Sequence, residues 1–396
     1  MLRILFCNYE YPPIGGGGGV INALLAEELA RRHEVTILTS RGLGLPAESV
    51  ENGVKILRVP VYFRRQKAAA NLLSLFAYMP SGIRAGKRWL REFPCDVINT
   101  HFVLPSGPVG DRLAKFAGIP NVLSVHGGDL YDPSKLTSPH RHAVLRAWVR
   151  RLLRRADRVV GQSRNTLENM SRFYAPEIKG VRIPLGIKRP VYETCRRADF
   201  GYTSDDVLFV TVGRLVARKA VEQLLRVMET MAPHRPRLLV LGDGPQESAL
   251  RSQANALGIA DRVNFLGHVS EDRKFGILKM SDVFVSTSQH EGFGLVFLEA
   301  MACGLPVICY NHGGQTDFLG DGQTGYLVNL NDIAMFQERS RELARDRDKS
   351  RRMGQENLRR VEELFIDRCA QRYEDIFDEV IADQRRKIAI GYASRP

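Results

Sequence analysis

Two glutamates eight residues apart, Glu291 and Glu299, frame the part of this sequence with the most usable chemistry. Glu299 sits in the apolar run Phe297-Leu298-Glu299-Ala300-Met301. A carboxylate in that company needs a partner, and the diol of a ribose supplies two donors. A salt bridge from a helix position satisfies it equally well. Glu291 belongs to the preceding stretch His290-Glu291-Gly292-Phe293-Gly294, where a loop gives way to a helix near Gly294. The free amides of such a helix start suit a phosphate, and Glu291 in the loop can reach the hydroxyls of a different moiety. A second pair of candidates is cationic. Gly213-Arg214-Leu215 follows an apolar run, and Lys219 stands five residues beyond Arg214. Arginine offers a fork and lysine a point charge, which together suit a diphosphate. Spacing alone reads as readily as two solvated loop residues. The third feature is the run Gly15–Gly19, which opens a helix and lets backbone amides approach an anion or a sugar. It lacks the GxGxxG frame, and Thr39-Ser40-Arg41 stands where a dinucleotide site needs an acidic ribose ligand.

These residues need strands and helices to hold them, and the sequence alternates the two throughout. Arg3–Tyr9 reads as a buried strand, followed by the glycines and a helix with Ile21, Leu24, Leu25 and Leu29 on one stripe. Val35–Thr39, Asp96–Thr100, Val122–Val125 and Arg158–Gly161 continue the series. Pro184–Pro190 is a turn-rich linker. A second series then has strands at Val207–Val212, Arg237–Leu241, Val263–Leu266, Val283–Thr287 and Pro306–Cys309. Helices near Ala220–Glu229, Gln246–Ala256, Asp272–Lys279 and Leu295–Ala302 separate them. Two such βα series predict an α/β protein of two Rossmann-like, doubly wound parallel-sheet domains facing a central cleft. The expected boundaries are 1–186, 187–375 and a C-terminal helix or tail, 376–396, that crosses back to the first domain.

Composition sets limits on the partners. With 44% hydrophobic and 26% charged residues in 396, the chain is not of the disordered class. Six scattered cysteines without a CxxC pair argue against disulfide and zinc frameworks. His140 and His142 have no further ligand at zinc spacing. The N-terminal apolar stretch is too short for a signal peptide, and Asn71 and Ser74 break the longest one, Ala68–Tyr78. A cytoplasmic protein, peripheral at most on the inner face of the membrane, is the expectation. The net charge of +13 lies wholly in the first half: residues 1–187 hold 27 basic against 14 acidic side chains, the remainder 30 against 30. In 61–91 seven cations (Arg64, Arg65, Lys67, Arg84, Lys87, Arg88, Arg91) mix with apolar residues and no acid. In 140–158 seven arginines face only Asp157, with Arg146, Arg150, Arg154 and Arg158 recurring opposite Val144, Trp148 and Leu152. Such surfaces suit an anionic membrane, although 140–158 taken alone reads more readily as an ordinary helix with a solvated basic face. No nucleic-acid motif accompanies them, so RNA is the weaker partner.

Taken together, the Glu291-(x7)-Glu299 element, Gly213-Arg214-(x4)-Lys219 and the early glycines resemble the retaining glycosyltransferases of family 4, which have the GT-B fold. The likeness runs from Pro12-Pro13-(x)-Gly15 to Gly313-Gly314 and Gly325-Tyr326-Leu327. It implies that Arg214 and Lys219 hold a donor diphosphate, that Glu299 holds the nucleotide ribose, and that Glu291 with the Phe293–Leu295 backbone meets the sugar and β-phosphate. It adds Gly16, Gly17, Gly213, Val269, Gly294 and Leu295 to the donor contacts, and Gly18 and Asp129 to the acceptor contacts. His126, in Ser124-Val125-His126-Gly127-Gly128-Asp129, matches the family's first-domain histidine beside the donor sugar; alone it would read as a turn histidine. The catalytic set implied is His126, Arg214, Lys219 and Glu291. Two departures stand out: Ala220 where a glycine usually follows the lysine, and Asp317 in place of the usual glutamate after the paired glycines.

The resemblance implies transfer of a sugar from a UDP- or GDP-sugar to a lipid-linked or cell-surface glycan, with retention by front-face attack and with no metal or other cofactor. Cations and a helix start would stabilise the leaving diphosphate. The competing readings are a sugar-nucleotide epimerase or hydrolase of the same fold, and a non-enzymatic basic protein binding membrane or RNA.

Overall fold

The computed structural model describes residues 1–42, 44–61, 72–132, 136–231 and 235–393. The chain forms two compact units, Met1–Gly186 with Ile366–Pro396, and Ile187–Phe365. The first contains strands β1 (Arg3–Cys7), β2 (Glu34–Arg41), β3 (Glu48–Glu51), β4 (Val54–Pro60), β5 (Val97–His101), β6 (Asn121–Val125), β7 (Arg158–Gly161) and β8 (Val181–Arg182). Their order across the sheet is β3-β4-β2-β1-β5-β6-β7-β8. Every pairing is parallel except the β3–β4 hairpin. Asn52 and Gly53 turn that hairpin with φ of 49° and 81°. Asn-Gly is the strongest short hairpin signal.

The second unit contains β9 (Leu208–Val212), β10 (Arg237–Leu241), β11 (Val263–Gly267), β12 (Val283–Ser286), β13 (Val307–Tyr310) and β14 (Gly325–Val328), in the order β11-β10-β9-β12-β13-β14, all parallel. Helices on the faces bury these strands on both sides, so they read as unbroken apolar runs such as Leu238-Leu239-Val240-Leu241. In each sheet the chain reverses direction of winding at one place, β1/β5 in the first and β9/β12 in the second. Ligands of open parallel sheets bind outside the carboxyl ends of the strands at that switch point.

Two expectations need correcting. The second unit ends at Phe365, not at residue 375, because the helix Ile366–Ala393 belongs to the first unit along its buried length. Ile366, Cys369, Ala370, Tyr373, Ile376 and Phe377 join the core built on Ile4, Phe6, Ile37 and Val97, and the Tyr373 hydroxyl is 2.9 Å from Ser124 Oγ. The arginine recurrence through Arg158 also fails. The helix stops at Arg155, Arg158 opens β7, and the inward face is Val149, Leu152 and Leu153, with Val144 exposed.

In the basic stretch 61–91, Arg64, Arg65 and Lys67 lie, with the other residues of 62–71, outside the described residues. From Leu72 onward the stretch forms the helix Leu72–Glu92. Its Ser74, Tyr78, Gly82, Gly86 and Leu90 face inward at four-residue spacing, and Leu75, Met79, Ile83 and Trp89 pack against the same core. Gly82 and Gly86 are small because Val109 and Leu113 press on them: an added Cβ would lie 3.2 and 2.4 Å from those side chains. The apolar residues of this segment are therefore mostly core. Outward it shows Phe76, Arg84, Arg88 and Arg91. No helix among the described residues is long and apolar enough to cross a membrane.

Candidate functional site

In the second unit the loops after β9 and β12, neighbours at the switch point, are stitched together. The Thr287 hydroxyl donates to Ala220 O at 2.8 Å, and Gln289 N donates to Arg218 O at 2.9 Å. This register puts Lys219 against Glu291: the ammonium hydrogen-bonds Glu291 Oε1, Ser288 Oγ donates to the same oxygen at 2.8 Å, and Arg218 Nη1 lies 3.3 Å from Oε2. Burial pushes the Glu291 pKa up, but Lys219, Arg218 and the hydrogen bonds from Lys219 and Ser288 outweigh it and hold the group at about 2. Glu291 is thus an anion clasped by two cations. Arg218 is a residue the motif reading missed; its own signal is only a third cation beside Lys219. Arg214 is exposed and makes no ion pair among the described residues.

Backbone approach explains the glycines. Gly213 at φ 154° follows β9, and an added Cβ there would sit 3.1 Å from Lys219 Cε. Gly242, after β10, comes so close that a Cβ would lie 2.1 Å from Gly213 O. Gly313 and Gly314 lie against the Glu291 loop, where Gly314 N donates to Glu291 O at 2.9 Å. Asp317 ends the short turn Gly314–Asp317 beside it. Ala220 adopts φ 48°, ψ 38° as the cap of the helix Val221–Glu229. That left-handed conformation favours glycine, which gives the glycine usual at this place a backbone reason.

The helix Leu295–Ala302 starts from Gly294 at φ 91°. Phe293 is buried with its ring 5.1 Å from Phe318, fixing the loop, and Leu295 is half-buried. Glu299, inside this helix, pairs with Lys274 Nζ at 2.9 Å through Oε1, while Oε2 is buried with no hydrogen-bond partner among the described residues. Burial raises the Glu299 pKa and Lys274 offsets this only in part. Lys274 comes from the helix Glu271–Met280 and is itself buried. Spacing could not have found it. Val269 lies half-buried in the loop between β11 and that helix.

The first unit has its own cluster at the β1/β5 switch point. Gly16 caps the helix Gly17–Ala30, its N–H given to Glu10 Oε2 at 3.1 Å. A Cβ on Gly16 or Gly17 would meet nothing within 4 Å, whereas one on Gly18 would strike Phe102 at 2.3 Å. Phe102, just past β5, has φ 68°, a strained conformation for a bulky residue, and its ring centroid is 4.4 Å from that of His126. His126 follows β6. Burial lowers its pKa to about 4, so the ring is neutral at physiological pH. Asp129 braces the loop rather than facing outward: Oδ1 accepts from His126 N at 2.9 Å and Oδ2 from Val103 N at 2.8 Å. Burial nonetheless raises its pKa to about 6.

Residues 16–186 match the Glycosyl transferase 4-like domain, and residues 196–360 match the Glycosyl transferases group 1 family. An uncharacterized glycosyltransferase of Methanocaldococcus jannaschii is 30% identical over 344 residues, 83% of this chain and 85% of that protein. The chain belongs to the family 4 glycosyltransferases. This glycosyltransferase is also 27% identical over 391 residues to the N-acetyl-alpha-D-glucosaminyl L-malate synthase of Bacillus anthracis, covering 95% of this chain and 97% of that one. Its fold is that of GT-B enzymes. The Anabaena HepE protein, solved with UDP and glucose, superposes with a TM-score of 0.75 at 18% identity, over 96% of this chain and all of the other. Family membership makes the chain a transferase and sets aside the epimerase, hydrolase and non-enzymatic readings.

Proposed function

We propose that this glycosyltransferase moves a sugar, with retention, from a UDP- or GDP-sugar held by its second unit to a lipid-linked or cell-surface glycan, without a metal ion. The observation that carries the reading is the pair of buried carboxylates at the β9/β12 switch point. Glu291 is matched by Lys219 and Arg218, whereas Glu299 keeps one buried oxygen without a partner among the described residues. A ribose hydroxyl donating to Glu299 Oε2 satisfies that oxygen. Lys219, turning from Glu291 to the diphosphate, gives a cation to the leaving group, and Arg218 remains to hold Glu291. Arg214, next to Gly213 and without an ion pair among the described residues, supplies the second cation and its fork.

Departure of the diphosphate puts positive charge on the sugar and negative charge on the leaving oxygen. Lys219, Arg214 and the helix start at Gly294 act where that negative charge grows, and removing either cation raises the barrier by about 2–4 kcal/mol. In front-face attack the leaving phosphate takes the acceptor proton, so no side-chain base is required. Neutral His126 serves as a polar contact for the donor sugar, in a loop that Asp129 holds.

The acceptor reading rests on the charge of the first unit. Arg146, Arg150, Arg151 and Arg154 are exposed on the helix Ala143–Arg155, and Arg84, Arg88 and Arg91 on Leu72–Glu92. Because the apolar residues of the second helix are mostly in the core, the membrane contact we propose is electrostatic, a peripheral association at the inner face of the cytoplasmic membrane. The test is transfer from a panel of UDP- and GDP-sugars in EDTA, with membrane lipid extract as acceptor and the product anomer read by NMR. An α-linked product from an α-linked donor supports the reading; inversion, or activity only with added metal, contradicts it. Flotation with anionic vesicles, lost in high salt, tests the membrane contact, and equal binding to neutral vesicles would remove it.

A further inference from the structure

His101, the last residue of β5, is fully buried and stacked on Phe6, with ring centroids 5.3 Å apart and planes within 5°. Its Nδ1 lies 2.9 Å from Nε2 of His126. One proton sits between two neutral rings joined in this way, and its owner fixes the tautomer of both. If His126 donated through Nε2, His101 would accept on Nδ1 and carry its own proton on Nε2. That nitrogen is buried and has no hydrogen-bond partner among the described residues. A buried N–H without an acceptor is among the rarest features of folded proteins, and an idle acceptor is better tolerated. The opposite arrangement leaves His101 Nε2 as a bare acceptor and strands no donor.

We infer that His101 is a positioning residue that donates Nδ1–H to His126 Nε2, and so fixes His126 with its own proton on Nδ1. His126 then has no free lone pair and cannot serve as a base. It presents an N–H, which suits a sugar oxygen acting as acceptor. A charged form of the pair is opposed by burial, which lowers both rings' affinity for a further proton. The consequence for the sugar rests on the proposed contact between His126 and the donor; the tautomer itself does not.

The test is a long-range proton–nitrogen correlation spectrum of the 15N-histidine protein, with His126 identified by its loss in His126→Asn. The expected spectrum shows His126 protonated at Nδ1 and bare at Nε2 between pH 6 and pH 8. A proton on Nε2 overturns the inference, whatever the variants do. His101→Asn keeps an amide donor at the same distance along the side chain, so it should hold the tautomer. His101→Phe removes the donor; His126 should then mix tautomers, and kcat/KM should drop about tenfold, with His101→Asn recovering most of it. An unchanged tautomer in a folded His101→Phe also overturns it. If the tautomer is as expected but His126→Ala transfers sugar normally, the donor contact has failed and the inference about His101 stands.

Discussion

Lys274 offers the sharpest perturbation of the second unit. It is 7% exposed and bonds Glu299 at 2.9 Å and the well-exposed Glu271 at 2.8 Å. Lys274→Met keeps the volume and removes the charge. The pair with Glu271 contributes little, since one partner is solvated. Glu299 is another matter, because it would become a buried carboxylate with neither oxygen paired. Breaking a buried pair by removing one partner costs about 3–5 kcal/mol. In a unit of this size each kcal/mol lowers Tm by about 2–4 °C, so the expected drop is roughly 6–20 °C at pH 7.5. The pH dependence identifies the cause. Burial raises the Glu299 pKa, and loss of Lys274 raises it further. The folded state then binds the proton more tightly than the unfolded state, so stability falls as pH rises through that range. The gap between variant and parent should be wider at pH 7.5 than at lower pH, narrowing as the carboxyl protonates, and be smallest near the unfolded value of about 4.5. Adding Glu299→Gln should recover most of the loss. Urea unfolding at both pH values measures all of this. A gap below about 1 kcal/mol at pH 7.5, or one that does not change with pH, would refute the view of Glu299 as a buried anion dependent on Lys274.

Other predictions follow from single positions. Gly242→Ala would push a Cβ to 2.1 Å from Gly213 O and should cost about 1–3 kcal/mol in denaturant unfolding, together with weaker nucleotide binding. Ala220→Gly relieves a left-handed alanine worth about 1–2 kcal/mol but gives up a buried methyl and chain stiffness of similar size, so Tm should move little and activity not at all. Because burial lowers the His126 pKa from 6.5 to about 4, the unfolded chain binds the extra proton in that window and His126 contributes a loss of stability as pH falls through it, opposed by Asp129, whose pKa burial raises to about 6. His126→Asn should remove that contribution from unfolding curves measured from pH 7 to pH 4.

Much of the architecture was legible because parallel strands buried on both faces announce themselves as apolar runs between turns. The strands named from sequence match the structure to within a residue or two, as with Val283–Thr287 against Val283–Ser286. The β3–β4 hairpin was missed although Asn52-Gly53 signals it, since Glu48–Glu51 is mostly exposed and lacks an apolar run. The end of the second unit was misplaced because a long helix carries no mark of which core it joins. Within the second unit, Lys219, Glu291 and Glu299 could be singled out as candidates from residue type and the family resemblance, not from spacing alone. Their partners could not, since Arg218 looks like any loop cation and Lys274 lies 25 residues before Glu299; in the first unit His101, the neighbour of His126, is only a polar residue ending a buried strand. Tertiary pairings of this kind have no local periodicity. Only a lysine in the apolar company of Phe275, Ile277 and Leu278 hinted that Lys274 is buried.

The central claim is that Lys219 and Glu299 belong to one nucleoside-diphosphate site that works without a metal. Calorimetric titration of UDP and GDP into the protein in EDTA tests it most directly. Micromolar binding of one of the two, abolished by Lys219→Ala and by Glu299→Gln in folded variants, is the predicted result. Absence of binding to either nucleotide, or binding that both variants retain, would contradict it.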